Sequence, residues 1–168
     1  MDSHTDIARH LRRAYIFDGI ADDDLAHIAE ISTLTTVLAG DVIFLQGTNS
    51  QELYVIAAGE VDILFETSPG RLSPDNQPDI ITTLRTGEAF GEIALLDRGT
   101  RSATARSGRM DSTLIVIASD DLLALCETRP TLGFQLMHNL ARGLAHPLRT
   151  RTNDMLLRDW LIWPRGPR

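Results

Sequence analysis

Between residues 33 and 117 the chain is a succession of short β-rich runs, most of them closed by a glycine. TLTTVL leads to Gly40, DVIFL to Gly47 and ELYVIA to Gly59. VDILFE and DIITTL lie on either side of a polar stretch ahead of Gly87, and SATAR and STLIVIA follow. Runs of this composition, repeating about every 8 to 12 residues with turn signals between them, predict an all-β sandwich, roll or barrel. Gly40, Gly47, Gly59 and Gly87 sit where the chain must reverse, often at positive φ. Residues 67–78 (TSPGRLSPDNQP), rich in Pro, Ser and Asn, predict a surface loop joining two strands.

The flanks follow a helical period. Ile7, Leu11 and the stretch from Ala14 to Phe17 form an apolar stripe that ends at an Asp18–Gly19 turn. Asp22, Asp23 and Asp24 open a second helix, where acids complement the positive N-terminal end, and Leu25, Ile28 and Ile31 give its buried face. After the strands, Ser119, Asp120 and Asp121 predict an N-cap region for a short helix through LLALCET. Pro130 suits the first turn of a longer helix through Leu136, Met137, Leu140, Ala141 and Leu144. The expected organisation is an N-terminal helical segment (residues 1–32), a mainly antiparallel β-roll (33–118) and C-terminal helices with a tail (119–168), a single domain in 168 residues.

Composition narrows the chemistry. All 16 basic residues are arginine, so the phosphate-binding lysine of a P-loop, Schiff-base chemistry and lysine general bases are excluded. Charge is divided along the chain. Residues 1–97 carry a balance of −12 and residues 98–168 a balance of +5, within a net charge of −7. The acidic front repels nucleic acid, and the basic back can attract an anion or an acidic partner, or can be a solvated surface. The lone Cys126 allows no internal disulfide, the first residues do not read as a secretory signal, and no run suits a membrane span, so a cytoplasmic setting is expected.

A seat for catalysis is hard to find. His4, His10, His27, His138 and His146 all lie in the helical flanks, leaving the β-rich region without imidazoles for a metalloenzyme of the jelly-roll type. There is no G-x-S-x-G elbow, and Cys126 sits beside Leu122, Leu123 and Leu125, as expected for a buried, inert thiol. The expectation is a non-enzymatic protein.

Residues 87–105, GEAFGEIALLDRGTRSATA, carry the most information. Gly91 permits a close approach of backbone to ligand, and residues 92–96 are good helix formers. A single helical turn there aims free N–H groups at an anion. Arg101, at the start of the next strand, can pair bidentately with the same anion, with the Ser102 hydroxyl beside it. Glu92 is out of place beside a phosphate unless it bonds a sugar hydroxyl on the same ligand. Anion, hydroxyl and compact pocket together suggest a ribose phosphate.

FGEIALLDRGTRSATA closely resembles the phosphate-binding cassette of cyclic nucleotide-binding domains, as in bacterial catabolite activators and protein kinase A regulatory subunits. The resemblance covers roughly residues 10–150, including the four glycines. It implies an antiparallel β-roll, or jelly roll, with a short helix between two strands. Glu92 then holds the ribose 2′-hydroxyl, and Arg101 pairs with the cyclic phosphate. Gly91, Ile93 and Ala94 supply backbone groups, and Ser102 flanks the phosphate. No cofactor is implied; the ligand is cAMP or cGMP. Ser102, where guanine-preferring members often carry Thr, leans towards cAMP. Ile63, Ile81 and Leu84 fall on flanking strands, either as an apolar wall around sugar and base or as ordinary core. The other reading is a structural interaction module of the same fold that binds no nucleotide.

Bacterial transcription factors of that family continue into a winged helix-turn-helix. Here the residues after the long helix leave no room for one, so output is expected through a protein partner or self-association and not through sequence-specific DNA binding. Met137, Ala141, Leu144, Leu148 and Met155 form a seam suited to a partner helix or to packing on the roll. Pro147 predicts a kink near His146, where the family's last helix caps the base. Arg149 and Arg151 are candidates to stack on or bond to the base. Leu156, Leu157, Trp160, Leu161 and Trp163 concentrate apolar surface in a tail that docks on a partner or on the roll.

Overall fold

The computed structural model describes residues 3–65 and 79–145. Two four-stranded antiparallel sheets face each other, flanked by helices, as the glycine-punctuated runs predict. One sheet has the order β1-β8-β3-β6, from β1 (Ser32–Val37), β3 (Glu52–Ala58), β6 (Ala89–Phe90) and β8 (Ser112–Ala118). The other has the order β2-β7-β4-β5, from β2 (Val42–Phe44), β4 (Glu60–Phe65), β5 (Asp79–Arg85) and β7 (Thr104–Ser107). Gly40, Gly47, Gly59 and Gly87 all take positive φ, between 78° and 90°.

The inner strands β3 and β8 of the first sheet are covered on both faces, which explains why ELYVIA and STLIVIA are apolar almost without a break. Leu53, Val55 and Ala57 of β3, with Ile115 and Ile117 of β8, point to the helices. There they meet Ile7 and Leu11 of α1 (Ser3–Leu11), Leu25 and Ile28 of α2 (Asp22–Glu30), and Leu122 of α4 (Ser119–Thr128). The alternate residues Tyr54, Ile56 and Leu114 turn the other way, onto Val61 of β4, Phe90 of β6 and Ala105 of β7. Side chains of a strand alternate in direction, so one apolar run serves two cores.

The helical flanks hold three departures from expectation. The stripe from Ala14 to Phe17 does not continue α1. The helix ends at Leu11, and Tyr15–Phe17 form a 3₁₀ turn that buries Ile16 and Phe17. Ser119 is not a cap. Ala118 occupies the cap position of α4, and the buried Ser119 Oγ has no hydrogen-bond partner among the described residues while its N–H donates to the Gln51 carbonyl. Cys126 is half-buried and not fully enclosed, and burial pushes its thiol pKa up.

A fifth helix, α5, spans residues 130–145 and begins at Pro130 as expected. Leu132, Leu136 and Leu140 of α5 are buried in the helical core. Asn139, also buried, donates to the carbonyls of Ile16 (3.0 Å) and Asp18 (2.8 Å), and Gln135 donates to Asp18 at 3.2 Å. These amides tie α5 to the 3₁₀ turn. Among the described residues no helix is long and apolar enough to cross a membrane. The loop predicted at 67–78, the Pro147 kink, Arg149, Arg151, the outer half of the seam and the apolar tail lie outside the described residues.

Candidate functional site

The structure brings Glu92 and Arg101 into one neighbourhood, at the end of the roll where β6 meets a short helix, α3 (Glu92–Asp97). The strand stops because Gly91 takes φ 85°, ψ 5°, a left-handed geometry that turns the chain into α3. α3 closes at Arg98, the one non-glycine residue at positive φ among the described residues (φ 53°), whose guanidinium pairs with Asp120 of α4 at 3.2 Å. Ala94 and Leu95 bury one side of α3, while Ile93 stands exposed.

Arg101 is not in a strand. It precedes β7 by three residues and is stitched to the loop after β2, its N–H donating to the Thr48 carbonyl and its own carbonyl accepting from Gly47. That anchoring sends the side chain inward, where only 2% of it remains exposed. Nε donates to Ser50 Oγ at 2.6 Å. One terminal nitrogen, Nη2, donates to the Glu52 carbonyl at 2.9 Å and to its carboxylate at 3.1 Å, and the other, Nη1, reaches the Gly91 carbonyl at 3.3 Å. Below it, the guanidinium carbon lies 4.1 Å from the Phe44 ring centroid and 5.5 Å from that of Tyr54. Phe44, Tyr54 and Phe90 pack together, with Tyr54 and Phe90 stacked at 5.0 Å. The delocalised, weakly hydrated guanidinium tolerates such a seat, whereas a lysine ammonium would not.

Glu52, Ser50, Phe44 and Tyr54 are site residues that reading along the chain missed. Buried cations are paired, so an interior arginine calls for an acid, but nothing local to residue 101 says which one. The Gly91 close approach expected for a ligand is made in this structure by the protein itself. A Cβ on Gly91 would lie 2.6 Å from the Arg101 Nη1 atom and 2.8 Å from the Glu52 carbonyl.

Glu92 is partly buried. Desolvation raises its carboxyl pKa, with a backbone hydrogen bond and the Arg101 charge pulling the other way. The unfolded chain therefore ionises first as pH rises, and folding stability falls across the window from about 4.5 upwards. Glu92→Gln is expected to stabilise the nucleotide-free protein at neutral pH. The gain should shrink as pH drops below the unfolded value, in urea melts compared at pH 7 and pH 4. An unchanged or lowered stability at pH 7 would show that Glu92 is not a strained charge.

The other predicted site residues separate into two groups. Ile63 on β4 and Leu84 on β5 pack against the inter-sheet core beside Phe44 and Val116, while Ile81, on edge strand β5, is half exposed. Ser102 is exposed beside the buried Arg101.

The two sheets form a β-roll that carries Glu92 and Arg101 in the segment between β6 and β7, and comparison with known proteins gives its family. Residues 34–129 match the model of the cyclic nucleotide-binding domain, and the chain belongs to that family. It is 36% identical over 134 residues to the cyclic AMP receptor protein of Thermus thermophilus, covering 80% of this chain and 57% of that protein. The Thermus thermophilus catabolite activator protein structure superposes with a TM-score of 0.70 at 32% identity, over 87% of this chain and 63% of that one. In both cases this chain spans less than two thirds of the other protein's length. A cyclic nucleotide-binding domain from Methylobacillus flagellatus, 18% identical, shares the fold with a TM-score of 0.73 over 92% of this chain and 83% of that one.

Proposed function

We propose that this protein is a regulatory sensor that binds cyclic AMP in preference to cyclic GMP and acts without catalysis. In this reading it signals through its C-terminal helices to a protein partner in the cytoplasm. The observation that carries the reading is the convergence of a buried Arg101 with Glu92 at the turn into α3, the pair that recognises a phosphate and an adjacent sugar hydroxyl. The preference for adenine rests on Ser102 following Arg101 and on the cyclic AMP receptor among its relatives. Residues 87–105 serve as the phosphate cassette within a roll spanning 33–118, with Gly91, Ile93, Ala94 and Ser102 around the phosphate, Ile63, Ile81 and Leu84 towards the sugar and base, and Arg149 as the cap on the base.

One observation favours the second reading, a structural module that binds no nucleotide. Arg101 has five N–H groups, and four hydrogen bonds to Ser50, Glu52 and Gly91 already engage it. A phosphate gains its full bidentate pair only if Glu52 or Gly91 gives up a bond. Calorimetric titration with cyclic AMP and cyclic GMP separates the readings. The sensor reading expects saturable binding of cyclic AMP, tighter than of cyclic GMP. No heat and no shift in melting temperature with either nucleotide at millimolar concentration establishes the module.

A further inference from the structure

Away from Arg101, the segment of residues 12–18 and helix α5 line an open concavity of about 360 Å³. Its lining brings together Arg12, Arg13 and Arg142, with Tyr15, Asp18 and Asn139. The charged side chains of that lining sum to +2, in a chain whose net charge is −7. Arg12 is paired with Asp22. Arg13 and Arg142 have no ion-pair partner among the described residues, whereas Arg98, Arg101, Arg106 and Arg129 all do.

Converging guanidiniums around a concavity repel one another, and an anion placed among them relieves that repulsion. The amide of Asn139 is spent on Ile16, Asp18 and Gln135, so it has little to offer a ligand. Tyr15 is a different matter. Its ring is fixed against Gly143, where a Cβ would come within 2.9 Å of it, and its phenol is pushed up to about 12 by burial and then by Glu92 and Glu88. The hydroxyl is therefore a donor at any physiological pH. Opposing charge comes from Asp18 in the lining, from Asp22 on Arg12, and from Glu88 and Glu92 near Tyr15. Those acids repel any anion, and two phosphates more than one, so what a diphosphate gains over a single phosphate is reach: it can meet more than one guanidinium of the lining at once.

We propose that this cavity is a second anion site, distinct from the Arg101 pocket, for a small ligand carrying a diphosphate group. The site is built half from the N-terminal segment and half from α5, so an occupant bridges the two elements that Asn139 already ties. It does not depend on nucleotide binding at Arg101. Its position beside Gly87, where an added Cβ would lie 3.3 Å from the Arg13 carbonyl, places it next to the cassette, and any coupling between the two sites must be reciprocal.

Inorganic pyrophosphate titrated into the full chain at low ionic strength, followed by calorimetry, tests the site. Saturable one-to-one binding is expected, unchanged in Arg101→Ala and at least about tenfold weaker in an Arg13→Gln/Arg142→Gln double variant. Both arginines are exposed, so the double variant should melt like the wild type, and Arg142→Gln alone should show part of the loss. The site is refuted if pyrophosphate does not bind at millimolar concentration. It is also refuted if sulfate binds equally well, or if binding disappears in Arg101→Ala but persists in the double variant. A chain that ignores cyclic nucleotides yet binds pyrophosphate through Arg13 and Arg142 keeps this site while losing the sensor reading.

Discussion

Arg101→Ala is expected to weaken cyclic nucleotide binding by about 2–5 kcal/mol, roughly 30-fold to several-thousand-fold. The loss is large because the phosphate would lose its one cationic partner at a place shielded from water by Phe44 and Tyr54. The same substitution should lower the stability of the free protein by about 1–3 kcal/mol, since it strands the Glu52 carbonyl and the Ser50 hydroxyl. Arg101→Lys separates the two roles. It keeps a positive charge but cannot reach Ser50, Glu52 and Gly91 together, so it should recover little of either loss. Calorimetric affinity and urea midpoints on the three proteins are the measurements. Wild-type affinity in Arg101→Ala would falsify the assignment of the phosphate to this residue.

How far the site could be read from the sequence follows from how local its parts are. Glu92, Gly91 and Arg101 lie within eleven residues, and their order alone points to an anion and a sugar. Glu52 lies 49 residues before Arg101 and reaches it only because β3 pairs with both β6 and β8. No local pattern announces such a partner. The roll itself was legible because strand ends coincide with glycines that do take positive φ. The two-faced burial of β3 and β8 also left its mark, as unbroken apolar runs. The 3₁₀ turn at Tyr15–Phe17 was not legible, because its apolar residues continue the helical stripe of α1 and only packing against α5 sets them apart. Asn139 was hidden for a related reason. A polar residue on a helix reads as surface until the carbonyls it satisfies are known.

Gly91→Ala should damage both the fold and the site, and Gly40→Ala shows why by contrast. Both glycines sit near φ 80°, where an alanine costs about 1–2 kcal/mol from its own backbone. At Gly40 nothing lies within 4 Å of the added methyl, so that cost should be the whole effect. At Gly91 the methyl meets the Arg101 guanidinium at 2.6 Å and the Glu52 carbonyl at 2.8 Å. Neither neighbour can yield cheaply, because Glu52 is held by its pairing with Ala118 and Arg101 by its bonds to Ser50 and Glu52. Overpacking of this kind adds about 1–3 kcal/mol, for a total of about 2–5 kcal/mol. Part of the strain should be released by driving Arg101 from its seat, so nucleotide affinity should fall along with the melting temperature. Gly40→Ala should lower the melting temperature alone. Equal destabilisation in the two variants, with affinity intact in both, would mean that the room beside Gly91 is not what holds Arg101 in place.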